Sequence, residues 1–421
     1  MSNQNQHKPG YKHTPLGWIP EEWEIKKMKE IAKVQGGYAF DSKKFRTSGK
    51  YQVVKMSNVY NGVLDLERSA SFLSSLSAQE ENFRLKSNEI LLTLTGTIGK
   101  RDYGYSHRVN GEENLVLNQR VARLIAIREN ADPIYLSYEV KSNRILDQFF
   151  FSARGGTGNQ ANVGTGDVEL VKVVTPPLFE QRKIATILST WDEAITKTLQ
   201  LIAQLQQRNK ALMQQLLTGK KRLKGYKAEW ETVSLSDCLN YTPREVPKPS
   251  KSFFALGIRS HAKGIFHKND FEPEDLAMEA LYEVKENDLI LNITFAWEQA
   301  IAIAGKEDDG GLVSHRFPTY TFKKDRAHVE FFRYFIIQKK FKYLLDLISP
   351  GGAGRNRVMS KKDFLKLEIT IPDVEEQKAI GSILKAATAE QKFYEQKLAA
   401  LQQLKKGLMQ KLLTGEVRVK I

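Results

Sequence analysis

Two long stretches of the chain carry apolar residues at alternating steps of three and four. In the first these are Ile184, Leu188, Trp191, Ile195, Ile202, Leu205, Leu212 and Leu216; in the second, Ile380, Leu384, Ala387, Tyr394, Leu398, Leu401, Leu408 and Leu412. Allowing for skipped positions, the spacing puts each set on one helix face, as a heptad-like seam. Thr198 and Asn209 interrupt the first seam, as polar residues do where they fix register. Pro176-Pro177 and Pro372 precede the two stretches and Gly219 and Gly415 follow them, the expected start and stop signals. A helix of about 38 residues is about 57 Å long. So narrow a seam does not make a globular core and requires one partner helix. The pattern predicts that the two helices pack on each other as a rod; the alternative is that each docks separately on another subunit.

The remaining segments, about 15–175 and 225–371, read as α+β. Strand-like runs are Gln52–Met56, Ile90–Thr95, Val121–Ile127, Asp288–Ile293 and Ala300–Ala304, with helical patterns over Ile134–Phe150 and Val329–Leu347. The two halves repeat one another. Leu212–Gly219 recurs as Leu408–Gly415, an offset of 196 residues, and that offset aligns Gly155–Gly219 with Gly351–Gly415 without a gap. Of these 65 pairs 23 are identical, against a chance level of roughly one in sixteen. Gly17-Trp18-Ile19-Pro20-Glu21-Glu22-Trp23 is echoed, one residue shorter, by Gly225–Trp230, and Asn88–Leu92 by Asn287–Leu291. The predicted fold class is therefore α+β: two globular domains and a pair of long coiled-coil-like helices, arranged as an internal pseudo-two-fold repeat. The helices match while the globular parts diverge, which suggests two different targets presented by one frame.

Charge narrows the partner. There are 64 Lys and Arg against 49 Asp and Glu among 421 residues, a formal net charge of +15, which points to a polyanion, most often nucleic acid. Cys238 is the only cysteine, so an intrachain disulfide is excluded and a Cys-built zinc site disfavoured. No apolar run reaches the roughly 18 residues needed to cross a bilayer. Met1–His13 is polar and lacks the apolar stretch of a secretory signal. A cytoplasmic protein without membrane attachment is expected.

Reaction chemistry is hard to find. Gly96–Lys100 lacks the first glycine and the final Ser or Thr of a phosphate-binding loop. Thr175-Pro176-Pro177-Leu178 is a faint match to the Asn-Pro-Pro-aromatic loop of amino-group methyltransferases, without the Asn or Asp. Pro372-Asp373 with Glu376-Gln377-Lys378 mimics a metal-dependent nuclease signature, but its acids are too close in sequence to lie on adjacent strands. A helix start explains both. Catalytic and metal residues are accordingly set at none.

Binding candidates are more plentiful. Two glycine-rich loops, Arg154–Asn162 and Gly351–Arg357, combine backbone access with Arg, Asn and Gln, the side chains that pair with guanine or adenine edges. They contribute Arg154, Asn159, Gln160, Asn162, Arg355, Asn356 and Arg357. The turn Thr95–Arg101 adds Thr97, Lys100 and Arg101; Lys43, Lys44 and Arg46 form a third group near Tyr38 and Phe40. The second half offers Arg259, His261, Lys263, Trp297, His315 and Arg316. For each group the alternative is a solvated loop or connector, and a lone His is more often structural than a ligand.

The run Pro176-Pro177-Leu178-Phe179-Glu180-Gln181-Arg182-Lys183-Ile184 into Ile187–Thr190, with Leu216-Leu217-Thr218-Gly219, is repeated around Glu376–Leu384 and Leu412–Gly415. With Thr95–Lys100 and Pro15–Pro20, this resembles the DNA-specificity subunits of type I restriction–modification systems over almost the whole chain. The resemblance implies an N-terminal tail (1–14), a first target-recognition domain (15–177), a first spacer helix (178–219), a second recognition domain (220–373), and a second spacer helix with C-terminal tail (374–421). It implies antiparallel spacers whose seam residues, Ile184 to Leu212 and Ile380 to Leu408, serve spacing and subunit contacts. It further implies a non-catalytic, DNA-binding host-defence subunit that reads one half-site per domain. The partners implied are double-stranded DNA, two adenine-N6 methyltransferase subunits and ATP-driven restriction subunits; S-adenosylmethionine, ATP and Mg belong to the complex, and no cofactor to this chain. Two other classes compete: a self-contained methyltransferase or nuclease, which would turn over alone, and a protein scaffold, which would leave the charge unexplained.

Overall fold

The computed structural model describes residues 8–60, 62–155, 159–275, 278–351 and 357–419. The chain divides into two compact units, Met1–Lys197 with Leu398–Ile421, and Thr198–Lys397. The first long helix runs Leu178–Leu216 and the second Val374–Thr414. Each unit thus contains one globular part and a segment of each long helix, whereas the sequence reading treats the helices as segments of their own.

In the first unit a four-stranded antiparallel sheet has the order Ser106–Arg108, Ile90–Thr93, Val121–Ala126, Ala32–Gly36. A second sheet sets Tyr51–Val54 between Leu115–Leu117 and Phe72–Leu73. The predicted run Ile90–Thr95 breaks at Leu94, whose N–H donates to the Arg120 carbonyl and whose carbonyl accepts from Val163; beyond it Thr95–Thr97 joins a different sheet. Tyr11–Thr14, which the sequence reading put in the tail, pairs with Gly17–Pro20 across a turn closed by Thr14 Oγ1 on the Gly17 carbonyl (2.7 Å). The predicted helix over Ile134–Phe150 forms as two, Pro133–Glu139 and Asn143–Phe151, because Ser142 turns into an extended conformation and caps the second.

The second unit has a four-stranded sheet (Leu239–Tyr241, Thr319–Phe322, Leu289–Leu291, Ile301–Ile303) and a five-stranded one whose longest pair is the hairpin Phe253–Ile258 with Ile265–Phe271. Its core gathers Tyr320, Phe331, Phe332, Phe341 and Phe364. Again one predicted helix is two, Val329–Phe335 and Lys339–Leu347. Both helices sit at the 196-residue offset from their first-unit counterparts, so the ungapped register reaches back to residue 133, where sequence identity has already faded.

Within each unit the two long-helix segments run antiparallel and supply each other's partner. In the first, Ile184 and Leu188 share a cluster with Leu412 and Leu413, while Asp192 accepts from Lys405 (2.5 Å). In the second, Leu216 clusters with Ile380 and Leu384, and Asn209, 6 % exposed, donates to the Ala387 carbonyl and to Gln391 Oε1, both at 3.0 Å. One expectation needs correction. The helix ends do enter globular cores, Ile184 and Leu188 beside Trp23, Tyr135 and Val174, and Leu216 beside Phe331 and Ile369. The seam is narrow, but at its ends the domains widen it with their own side chains.

Candidate nucleic-acid interface

In the first unit, two candidate groups far apart in sequence become one surface. Thr95–Thr97 pairs antiparallel with Gln160–Asn162, which in turn pairs with Arg154–Gly155. Ile98 N–H reaches the Asn159 carbonyl at 3.1 Å. The turn is held from inside: the Asp102 carboxylate accepts from Thr97 N (2.8 Å) and Thr97 Oγ1 (2.7 Å), and these bonds, the backbone one foremost, hold its pKa below the usual carboxylate value. A Cβ on Gly96 would lie 2.4 Å from both the Asp102 carboxylate and the Tyr103 ring, so only glycine fits. Arg101 pairs with Asp147 (2.7 Å) and lies over the Phe150 ring; Arg154 pairs with Asp167 (3.3 Å). Lys43, Lys44 and Arg46 belong elsewhere. Lys43 and Lys44 lie on a short turn, Ser42–Lys44, capped by Asp41, Arg46 bonds back to the Lys43 carbonyl (3.0 Å), and Phe45 packs against the cluster of Phe40, Tyr51 and Val53. No hydrogen bond or ion pair among the described residues joins them to the Thr97 turn.

The second unit builds its candidate surface differently. The hairpin tip is closed by Arg259 N–H on the Gly264 carbonyl, with His261 and Ala262 both left-handed (φ 62° and 52°). Their N–H groups donate to the Glu298 and Gln299 carbonyls at 2.7 and 2.9 Å, seating the tip on the turn Ala296–Glu298 that carries Trp297. Arg259 lies over the Phe266 ring and Arg357 over Trp297. Arg357 is also paired with Asp346 (2.8 Å) and donates to the Ser349 carbonyl. The Arg316 carbonyl accepts from Ile293, which brings the His315–Arg316 loop beside the segment that leads from Leu289–Leu291 into the Trp297 turn. Below lies a cavity of about 420 Å³ walled by Phe253, Phe266, Phe271, Phe295 and Phe317. Arg259, His261, Lys263, Trp297, Arg316 and Arg357 therefore come from segments packed on one another. Arg355 and Asn356 lie outside the described residues.

The model for the type I restriction modification DNA specificity domain matches residues 20–207 and again 227–403, most of the chain. The chain belongs to that family. Among relatives, the specificity subunit of the type I restriction enzyme MjaVIII from Methanocaldococcus jannaschii is 24% identical over 96% of this chain and 94% of its own. Among solved structures, the S subunit of a type I restriction–modification system from M. genitalium matches with a TM-score of 0.58 at 15% identity, over 95% of this chain and 96% of that one. The HsdS subunit from Thermoanaerobacter tengcongensis matches with a TM-score of 0.50 at 17% identity, over 95% and 98%. Among the described residues of this specificity-family chain, no cluster of three or more His, Cys, Asp or Glu could hold a metal, and no helix is long and apolar enough to cross a membrane.

The repeated motif of the specificity family has a structural explanation that settles both sequence decoys. Gln181 Nε2 donates to the Pro176 and Asn130 carbonyls and its Oε1 accepts from Asp132 N; Gln377 does the same with Pro372, Arg326 and His328. Asp373 caps the second helix through Glu376 N (2.8 Å). Glu180 and Glu376 are buried, 2 % and 0 % exposed. Glu180 accepts from Trp23 Nε1 (3.3 Å) and from Arg418 (2.6 and 3.1 Å); Glu376 accepts from Trp230 Nε1 (3.2 Å) and from Arg222 (2.6 and 2.9 Å). These acids are structural ties at helix starts, engaged in full. Arg222 and Arg418 escaped the sequence reading, although they too stand 196 residues apart, three positions beyond Gly219 and Gly415.

Proposed function

We propose that this chain is the non-catalytic DNA-specificity subunit of a type I restriction–modification complex and reads a bipartite site, one half per recognition domain. The observation that carries this reading is the division between what recurs and what diverges. The helices, the Glu-Gln ties and the Leu-Leu-Thr-Gly exits recur, while the Thr97/Gln160 sheet of one unit is replaced by the Arg259 hairpin and Trp297 turn of the other. We assign the recognition domains to residues 15–177 and 220–373. Cations such as Lys100 and Lys263 would contact phosphate, and Asn159, Gln160, Asn162 and Arg316 would read base edges.

The long helices would fix the number of unread base pairs between half-sites and carry the partner subunits. Gln200, Ala203, Gln207, Lys210 and Gln214 form an exposed stripe that is identical at Gln396, Ala399, Gln403, Lys406 and Gln410. Identity at exposed positions supports the same partner twice, hence two methyltransferase subunits, with restriction subunits joining that assembly. S-adenosylmethionine, ATP and Mg would be bound by those partners, in the cytoplasm. A seven-residue helical insertion after Gln207 is expected to lengthen the gap in the methylated sequence; methylome sequencing that finds the gap unchanged overturns the spacer role. Turnover by the purified chain alone, with DNA and a labelled methyl donor or Mg, overturns the non-catalytic reading.

A further inference from the structure

We propose that Arg222 and Arg418 are positioning residues that set how strictly the protein counts the base pairs between its half-sites. The inference rests on the spacer reading above. In the second unit, Arg222 lies just past the exit of the first long helix and grips both oxygens of Glu376, one turn into the second, at 2.9 and 2.6 Å. The same Nη2 that meets Glu376 also donates to the Ala228 carbonyl (2.7 Å), and Trp230, on the lead-in to the globular part, donates to the same carboxylate and packs its ring on Gly219. Helix exit, helix start and domain lead-in thus meet at one buried acid. The first unit repeats the arrangement with Arg418, Glu180 and Trp23, and Arg418 also holds Glu22 (3.1 Å).

A joint needed only for cohesion has no need of charge. The glutamates are buried while the Arg222 and Arg418 side chains stay 29 % and 37 % exposed; ion pairs with a buried member are often matched or surpassed in stability by apolar packing, and their directional bonds favour one geometry over neighbouring ones. Both copies keep the forked pair although the lead-in around it differs in length and sequence. The joint is also where a recognition domain hangs on the helix ends, so a small tilt there becomes a shift along the DNA at the reading loops. A tight fork admits one gap length; a loosened fork admits its neighbours.

The test uses the assembled methyltransferase complex and a DNA library in which the cognate half-sites are separated by the natural gap and by one or two base pairs more or fewer. Arg222→Lys keeps the charge beside Glu376 but loses the fork. Methylation at the adjacent gap lengths is expected to rise from background to roughly a tenth of the cognate-gap rate, with the half-site bases unchanged. Arg418→Lys is expected to do the same independently. An equal loss of methylation at every gap, or relaxed bases with a single gap, overturns the proposal. Should Arg222→Lys fail to assemble, Trp230→Phe, which removes the indole N–H together with part of the ring but keeps an aromatic on Gly219, decides in its place: a single retained gap overturns the proposal. The Gln207 insertion run alongside separates the two readings. An unmoved gap in that control sinks the spacer role, whereas a moved gap with no broadening in the lysine variants sinks the assignment of the arginines.

Discussion

Glu139 is fully buried, with one oxygen near Ser142 (3.4 Å) and Arg144 (3.6 Å) and the other without a hydrogen-bond partner among the described residues. Burial pushes its pKa up to about 7, from 4.5, against the opposing pull of Arg144. The folded state therefore holds a proton that the unfolded chain releases. Its stabilising effect is complete below pH 4.5 and is lost as pH rises through 7, a loss of about 3 kcal/mol by pH 8. Glu139→Gln is expected to flatten that slope, so that urea midpoints of variant and parent diverge at pH 8 and converge near pH 4.5. The aligned position in the second unit is Phe335, which is why the sequence repeat gave no hint of an acid there. At Glu376 the expectation is the reverse: alanine strands Arg222 and Trp230 and lowers stability by about 3 kcal/mol, measured by denaturant unfolding. The sequence identified cationic candidates but not their partners. Arg101, Arg154 and Arg357 each face an aspartate, Asp147, Asp167 and Asp346, that only the fold brings near.

Among the elements, the long helices were the most legible because a seam of period 3.5 leaves a mark on every turn. Asn209 was readable as a register residue, and it bonds across to Ala387 and Gln391 with Arg208 bound to its oxygen (3.0 Å). Asn209→Ala removes both of its bonds across the seam, made by a buried amide. It is expected to lower the denaturant midpoint by the equivalent of about 1–2 kcal/mol without changing the slope of the transition. The short elements were less legible because their ends are set by single bonds. Ser142 splits a helix whose apolar pattern runs straight through, and Leu94 passes one strand from sheet to sheet. The candidate loops were visible as composition, but the pairing of Thr97 with Gln160 depends on closing a long loop that no local pattern records.

For the molecule as a whole, the net charge of +15 predicts binding that weakens steeply with salt. Lys100→Ala is expected to reduce the slope of log affinity against log salt by about 1 while leaving the preferred bases unchanged, as titrations on cognate and scrambled duplexes would register. The two-domain plan was legible because duplication repeats its punctuation. The assignment of each helix to two units was not, since it arises from packing alone. That assignment governs the order of events on the ribosome. The second unit is one continuous stretch, Thr198–Lys397, whereas the first needs Leu398 onward to complete its cluster around Trp23 and Ile184. The half synthesised first is finished last, and until Leu412 and Arg418 emerge its apolar seam stays uncovered, a window in which chaperones or misfolding compete for the nascent chain.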